Sequence, residues 1–184
     1  PFDSVQEAID AAATGDAILV LPGTYREHIS FQGKDVTVSA LDRCGGDAVS
    51  RTILAGVDAN SVVVFAKGES AAAVLAGFTI LGGRGQCGGG ICCQGADPII
   101  ANCLIVGNRA DLGAGVYCQE SRATLVNCTI ADNYNWEDGG GLYCCLSDVT
   151  VINSIVSGNQ PEQIVVDPSA ILHVIYSAVR GGWP

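Results

Sequence analysis

The chain has 184 residues, 48% of them hydrophobic, which is enough to bury one sizeable core, so a single domain over 1–184 is expected. Its formal net charge is −10, with Lys34 and Lys67 as its only lysines, and this argues against a nucleic-acid partner, because phosphate binding is driven by Lys and Arg. No apolar run approaches the roughly 18 residues a bilayer span requires, so no membrane span is expected.

In chain order, Ser4 to Ala13 carries the one helical pattern. Ser4 can cap it, Glu7 stands where a capping box places its acid, and Val5, Ala8, Ile9 and Ala12 form one apolar stripe. Gly15-Asp16 ends it. Such a stripe must cover something, and the open end of the repeats that follow is the expected object. Strand-like runs come next at Ala17–Leu21, His28–Phe31 and Val36–Ser39, with a turn at Pro22-Gly23. The stretch Leu41 to Gly56, with Cys44-Gly45-Gly46, is irregular apart from Thr52-Ile53-Leu54.

From Ser61 onward the chain repeats itself. Gly90-Ile91-Cys92-Cys93, Gly115-Val116-Tyr117-Cys118 and Gly141-Leu142-Tyr143-Cys144 recur at steps of 25 and 26 residues. Asn102-Cys103-Leu104-Ile105, Asn127-Cys128-Thr129-Ile130 and Asn153-Ser154-Ile155-Val156 recur at the same steps, as do Asn108, Asn133 and Asn159. Gly77-Phe78 precedes Asn102-Cys103 by the same 25. With Gly, Cys, Asn and β-branched letters and no spacing of three and four, each unit reads as short strands between turns, and stacked units of that kind form a solenoid of parallel strands. A sixth, degraded unit runs through Ile164–Val166 and Val174–Val179.

The run from Ser4 to Phe31, above all Gly15-Asp16-Ala17-Ile18-Leu19-Val20-Leu21-Pro22-Gly23-Thr24-Tyr25-Arg26-Glu27-His28-Ile29, resembles the opening of right-handed parallel β-helix proteins of the pectin-lyase-like type. The Gly-Gly-Gly-Ile-Cys-Cys and Asn-Cys-Thr-Ile phrases are similar to repeats of that group's many uncharacterised, secreted members. The resemblance implies an all-β, right-handed parallel β-helix of about six coils in 17–184, a capping helix over 4–13, and an extracellular or cell-surface setting. The ending Gly181-Gly182-Trp183-Pro184 lacks a closing unit. The expectation is therefore a fragment of a longer chain, or an open C-terminal end that packs on missing residues or another chain.

Alternation then sets the faces of each strand. Ile91 and Cys93, Val116 and Cys118, and Leu142 and Cys144 should point inward. Cys92, Tyr117 and Tyr143 should point out, together with Gln94, Gln119 and Cys145. Nine cysteines suggest a disulfide scaffold. The repeat argues instead for buried free thiols, because cysteines in one column lie on neighbouring strands ~4.8 Å apart, whereas a bridge wants Cβ atoms near ~3.8 Å. Asn102, Asn127 and Asn153 read as a structural corner ladder, since Asn accepts left-handed backbone angles and its amide can bond the next one along.

The segments after Asn108, Asn133 and Asn159 differ most between units and read as loops on a rigid scaffold, where function concentrates. Tyr117, Tyr143 and Trp136 are candidates to bind an extended polysaccharide by stacking on sugar rings; the opposing view is that the two tyrosines pack on each other across strands. A calcium-assisted polysaccharide lyase, the alternative the fold resemblance implies, would draw on the local supply of Arg84, Arg109, Asp111, Glu137 and Asp138, with Arg109, Asp111, Glu137 and Asp138 as its catalytic candidates, and Asp111, Glu137 and Asp138 are the candidates to hold calcium. A hydrolase would need two carboxylates at a set separation. The aspartate-rich and Gly-His-Gly phrases of polygalacturonases are absent, as are the Trp-x-Asp-His and Arg-x-Pro-x-x-Arg phrases of pectate lyases. A third reading is a structural surface or adhesin spacer.

Overall fold

The structure is a computed structural model that describes residues 2–41 and 51–182, and only the backbone of residues 136–138. The Cys44-Gly45-Gly46 stretch and the ending Trp183-Pro184 lie outside the described residues. The rest forms a right-handed parallel β-solenoid of about six coils with one short helix at its N-terminus. Each full coil contributes one strand to each of three sheets. The first sheet runs Ala17–Val20, Thr37–Ala40, Val74–Ala76, Ile99–Ala101, Thr124–Val126, Asp148–Ile152 and Ile171–Ile175. The second starts at Gly23–Arg26 and ends at Ala178–Val179. The third stacks Ile29–Ser30, Val63–Phe65, Ile91–Gln94, Val116–Gln119, Leu142–Cys145 and Ile164–Val166. Every pairing is parallel and steps one coil, as in Cys93 against Cys118 against Cys144.

Parallel coils bury one face of every strand, and inward columns of like residues result. Ile80, Ile105 and Ile130 are fully buried, and so are Leu75, Ile100 and Leu125. Burial of each such side chain is worth about 1.5–3 kcal/mol, and the whole axis is lined this way. The inward cysteines Cys93, Cys118 and Cys144 continue a column begun by Phe65. In the other column Phe78, Cys103, Cys128 and Ser154 are buried, and thiol and hydroxyl act alike there. Cys103 Sγ donates to Ala101 O at 3.2 Å, Cys128 Sγ to Val126 O at 3.4 Å, and Ser154 Oγ to Ile152 O at 2.8 Å. The eight described cysteines are free thiols.

The helix spans Val5–Ala11, two residues shorter at its C-terminal end than the pattern suggests, because Ala12 is already extended and Asp16 Oδ2 accepts from Ala13 N at 2.8 Å. Ser4 Oγ accepts from Glu7 N at 3.1 Å as an N-cap should. The reciprocal capping-box bond goes elsewhere, with Asp3 N donating to Glu7 Oε2 at 3.3 Å. A second cap comes from the first coil, where the Glu27 carboxylate accepts from Val5 N and Gln6 N, both at 2.9 Å. Val5, Ala8 and Ile9 are buried against the strands Ala17–Val20 and Ile29–Ser30.

Two asparagine columns turn the coils. At the corner between the first and second sheets, Asn102, Asn127 and Asn153 take φ of 52°, 53° and 49°, and Gly77 takes 83° at the same place one coil earlier. These asparagines are exposed, and Asn127 Nδ2 donates to Asn102 Oδ1 at 3.1 Å. The other column is buried and longer. Gly83 N donates to Asn108 Oδ1, Asn108 N and Nδ2 both donate to Asn133 Oδ1, and Asn133 N and Nδ2 donate to Asn159 Oδ1, all between 2.9 and 3.1 Å. Gln163 Oε1 closes the row on Asn159 N and Nδ2. This ladder, with the still closer backbone carbonyl of the next coil, explains the glycine that opens each repeated phrase. A Cβ on Gly90, Gly115 or Gly141 would stand 2.9, 2.9 and 2.7 Å from Nδ2 of Asn108, Asn133 and Asn159.

Candidate binding groove on the lateral face

Past the buried amide ladder, two of the three segments expected to be irregular loops form strands. Arg109–Leu112 pairs in parallel with Tyr134–Asp138, with a register shift between Ala110 and Leu112. The ladder imposes this order: once Asn108 and Asn133 are locked in register, the residues after them leave in the same direction one coil apart. The pairing extends backward and forward. Arg109 N donates to Gly83 O at 2.9 Å, which sets Arg109 opposite Arg84, while Tyr134 N donates to Asn108 O and Gln160 N to Asn133 O, both at 2.9 Å. One outward row therefore reads Arg84, Arg109, Tyr134, Gln160 along the solenoid axis.

Arg84, Gln86, Arg109 and Asp111, with Ala59, line a groove of about 440 Å³, a size within the ordinary range of ligand sites. Both arginines are exposed. Among the described residues the ion pairs are Arg122 with Asp97 at 2.8 Å and His173 with Asp148 at 3.2 Å, and neither groove guanidinium has a hydrogen-bond partner. Asp111 is half-buried, its N–H bonded to Gln86 O at 3.0 Å. It lies near Cys87, whose thiol is pushed up by burial and then by the Asp111 charge. Guanidinium and amide donors and a carboxylate acceptor on two successive coils can hold the hydroxyls and charged groups of a chain running along the axis.

The tyrosines that alternation placed outward are not an open platform. Tyr117 is only 6% exposed and its ring stacks on Tyr143 with centroids 5.7 Å apart and planes 15° apart. Its hydroxyl donates to Gln119 Oε1 at 3.3 Å, and burial first, then the thiols of Cys87, Cys145 and Cys92, raises its pKa to about 12. Positive-φ turns at Gly113 and Gly139 explain the cover: a Cβ at either would lie 3.0 Å from Tyr143 Cβ, so the chain entering each strand runs close over the tyrosine pair. Tyr143 is half-buried. Strand alternation finds the side of the sheet but not what lies on top of it. Trp136, Glu137 and Asp138 belong by backbone to the strand that flanks Arg109–Leu112, and their side chains lie outside the described residues. Asp111 shares the groove lining with Arg109 and Gln86, and no group of three metal-capable side chains occurs among the described residues.

Tyr134 is the member of the row that periodicity could have added to Arg84 and Arg109, because 84, 109 and 134 keep the step of 25. The signal is hidden by the change of residue type, from Arg to Tyr to Gln. Burial pushes Cys128 up to about 11 against backbone hydrogen bonds that lower it, and Cys92 is pushed to about 11 by burial and then by Cys87.

The stacked parallel coils, asparagine ladders and lateral groove define a right-handed β-solenoid with a side-facing site. Residues 49–181 match the model of the right handed beta helix region, and the chain belongs to that family. No curated protein matches the sequence. Among solved structures, a candidate glycosyl hydrolase from Parabacteroides merdae ATCC 43184 superposes with a TM-score of 0.66 at 11% identity, over 100% of this chain and 91% of that one. A pectin methylesterase solved with a bound hexasaccharide superposes with a TM-score of 0.50 at 12% identity, over 91% of this chain and 63% of that one. At these identities the likeness is one of fold, and the fold is one found among carbohydrate-active proteins. Among the described residues no helix is long and apolar enough to cross a membrane.

Proposed function

We propose that this chain is an extracellular carbohydrate-associated β-helix module that binds an extended polysaccharide along its lateral face. The observation that carries the reading is the groove of about 440 Å³ in which Arg84, Gln86, Arg109 and Asp111 recur in coil register, with Tyr134 next in the row. A polymer aligned with the solenoid axis meets donors and an acceptor at every coil step, and an aromatic ring beyond them serves the apolar face of a sugar. The bound hexasaccharide of the pectin methylesterase supports a glycan as the partner of this fold.

The test is retention of the protein on a panel of insoluble neutral and acidic polysaccharides. A double variant, Arg109→Ala with Tyr134→Ala, should lose about tenfold or more in affinity on whichever polymer holds the parent protein, as loss of central anchors does. Tyr117→Phe, which leaves the groove intact, should bind like the parent. Equal retention of the double variant would remove the lateral face as the binding surface.

A further inference from the structure

We infer that the glycan held on this face is anionic, and that Arg84 and Arg109 form a two-armed clasp for its carboxylate or sulfate groups; this rests on the glycan reading above. Two like charges directly opposite each other on neighbouring strands destabilise a sheet, and these two are in register one coil apart. Another described arginine is placed differently. Arg122, also one coil from its neighbour, stands opposite Asp97 and bonds it through Nε at 3.1 Å and Nη2 at 2.8 Å. Among the described residues Arg26, Arg51 and Arg180 have no carboxylate partner either, so what sets the groove apart is that two arginines lie opposite each other.

Asp111 lines the groove but pairs with neither arginine among the described residues. In a chain with 19 acidic residues against 9 basic ones, two arginines opposite each other with no carboxylate paired to either among the described residues mark this groove. Each presents a planar fork of N–H donors suited to an oxyanion. An oxyanion between them cancels the repulsion and satisfies both forks, which no neutral sugar does. Gln86 and Asp111, beside the clasp, then meet the hydroxyls of the same chain. A carboxylate and a sulfate present the same oxygen chemistry here, and the experiment separates them.

Affinity is measured on polygalacturonate, dextran sulfate and neutral dextran for the parent, Arg84→Gln, Arg109→Gln, Arg109→Lys and Arg122→Gln. The expected result is binding to at least one charged polymer and not to dextran, weakened by salt, with about a tenfold loss for each of Arg84→Gln and Arg109→Gln. Arg109→Lys keeps the charge, loses the fork and should fall between them and the parent, while Arg122→Gln, which removes the same charge elsewhere, should match the parent. Preference for polygalacturonate assigns carboxylate, and preference for dextran sulfate assigns sulfate. Three results would overturn the clasp. Dextran held as well as the charged polymers, with no effect of the groove arginines, leaves the glycan reading standing without it. An equal loss from Arg122→Gln means overall charge and not a clasp. Retention on none of the three polymers removes the clasp and the glycan reading together.

Discussion

Two asparagine columns climb this solenoid at the same step, and they do different work. The column of Asn108, Asn133 and Asn159 is buried, with each amide bonded to backbone on one side and to the next amide on the other. The column of Asn102, Asn127 and Asn153 is exposed and chiefly supplies left-handed corners. In the first the side chain is what matters, and in the second the backbone conformation. Identical residue types with identical periodicity therefore do not imply an identical role; burial decides which property of asparagine is used.

The largest effect should come from breaking the buried column. Asn133→Ala removes a bond to Ile105 O and one to Asn159 Oδ1, and leaves two Asn108 donors unmet, for a cost of about 3 kcal/mol or more. Chemical denaturation of the variant checks this, and Asn133→Gly should be no better. At the corner the outcome inverts. Asn127→Ala should cost about 1 kcal/mol, because a Cβ-bearing residue without a helpful amide is strained at φ 53°, whereas Asn127→Gly should come within about 0.5 kcal/mol of the parent by the same measurement. Glycine rescue at both columns, or at neither, would erase the distinction.

A third probe is alkaline pH, which reaches the buried columns and leaves the corner untouched. Cys92 and Cys128 ionise near 9 in the unfolded chain and near 11 when folded. A raised folded pKa means that the folded state holds its protons longer. The thiols' contribution is thus complete below about pH 9 and drains away as pH rises toward 11. Melting temperature followed by circular dichroism should fall through that window, and less steeply for Cys128→Ser. The smallest effect expected is that of Tyr117→Phe, which loses one bond of 3.3 Å to Gln119 while the stack on Tyr143 remains; under about 1 kcal/mol should separate it from the parent.

The scaffold was legible because it is periodic. A step of 25 or 26 residues needs only strand alternation to become inward columns, and Cys93, Cys118, Cys144, Ile105 and Ile130 are all buried where alternation puts them. The helix start was legible for a similar reason, since capping is local, but its second cap from Glu27 was not, because that residue is 22 positions away from Val5. The groove was only half legible. Arg109 and Asp111 stood out as charged residues beside a repeated phrase. Arg84 stood out with them and Tyr134 did not, because the row keeps the coil step beyond Arg109 while changing residue type.

What the sequence determined by itself, then, is the set of terms that depend on one coil and its neighbour: the period, the inward face, and the positions that need glycine or asparagine. Tertiary structure alone decided how far an outward side chain is covered. Tyr117 became part of the packing because turns at Gly113 and Gly139 close over its stack, and Arg84 and Arg109 came to share a groove because the buried ladder holds the segments that carry them in register, with no carboxylate paired to either among the described residues. Alternation is a property of one strand, whereas exposure is set by every segment that passes above it.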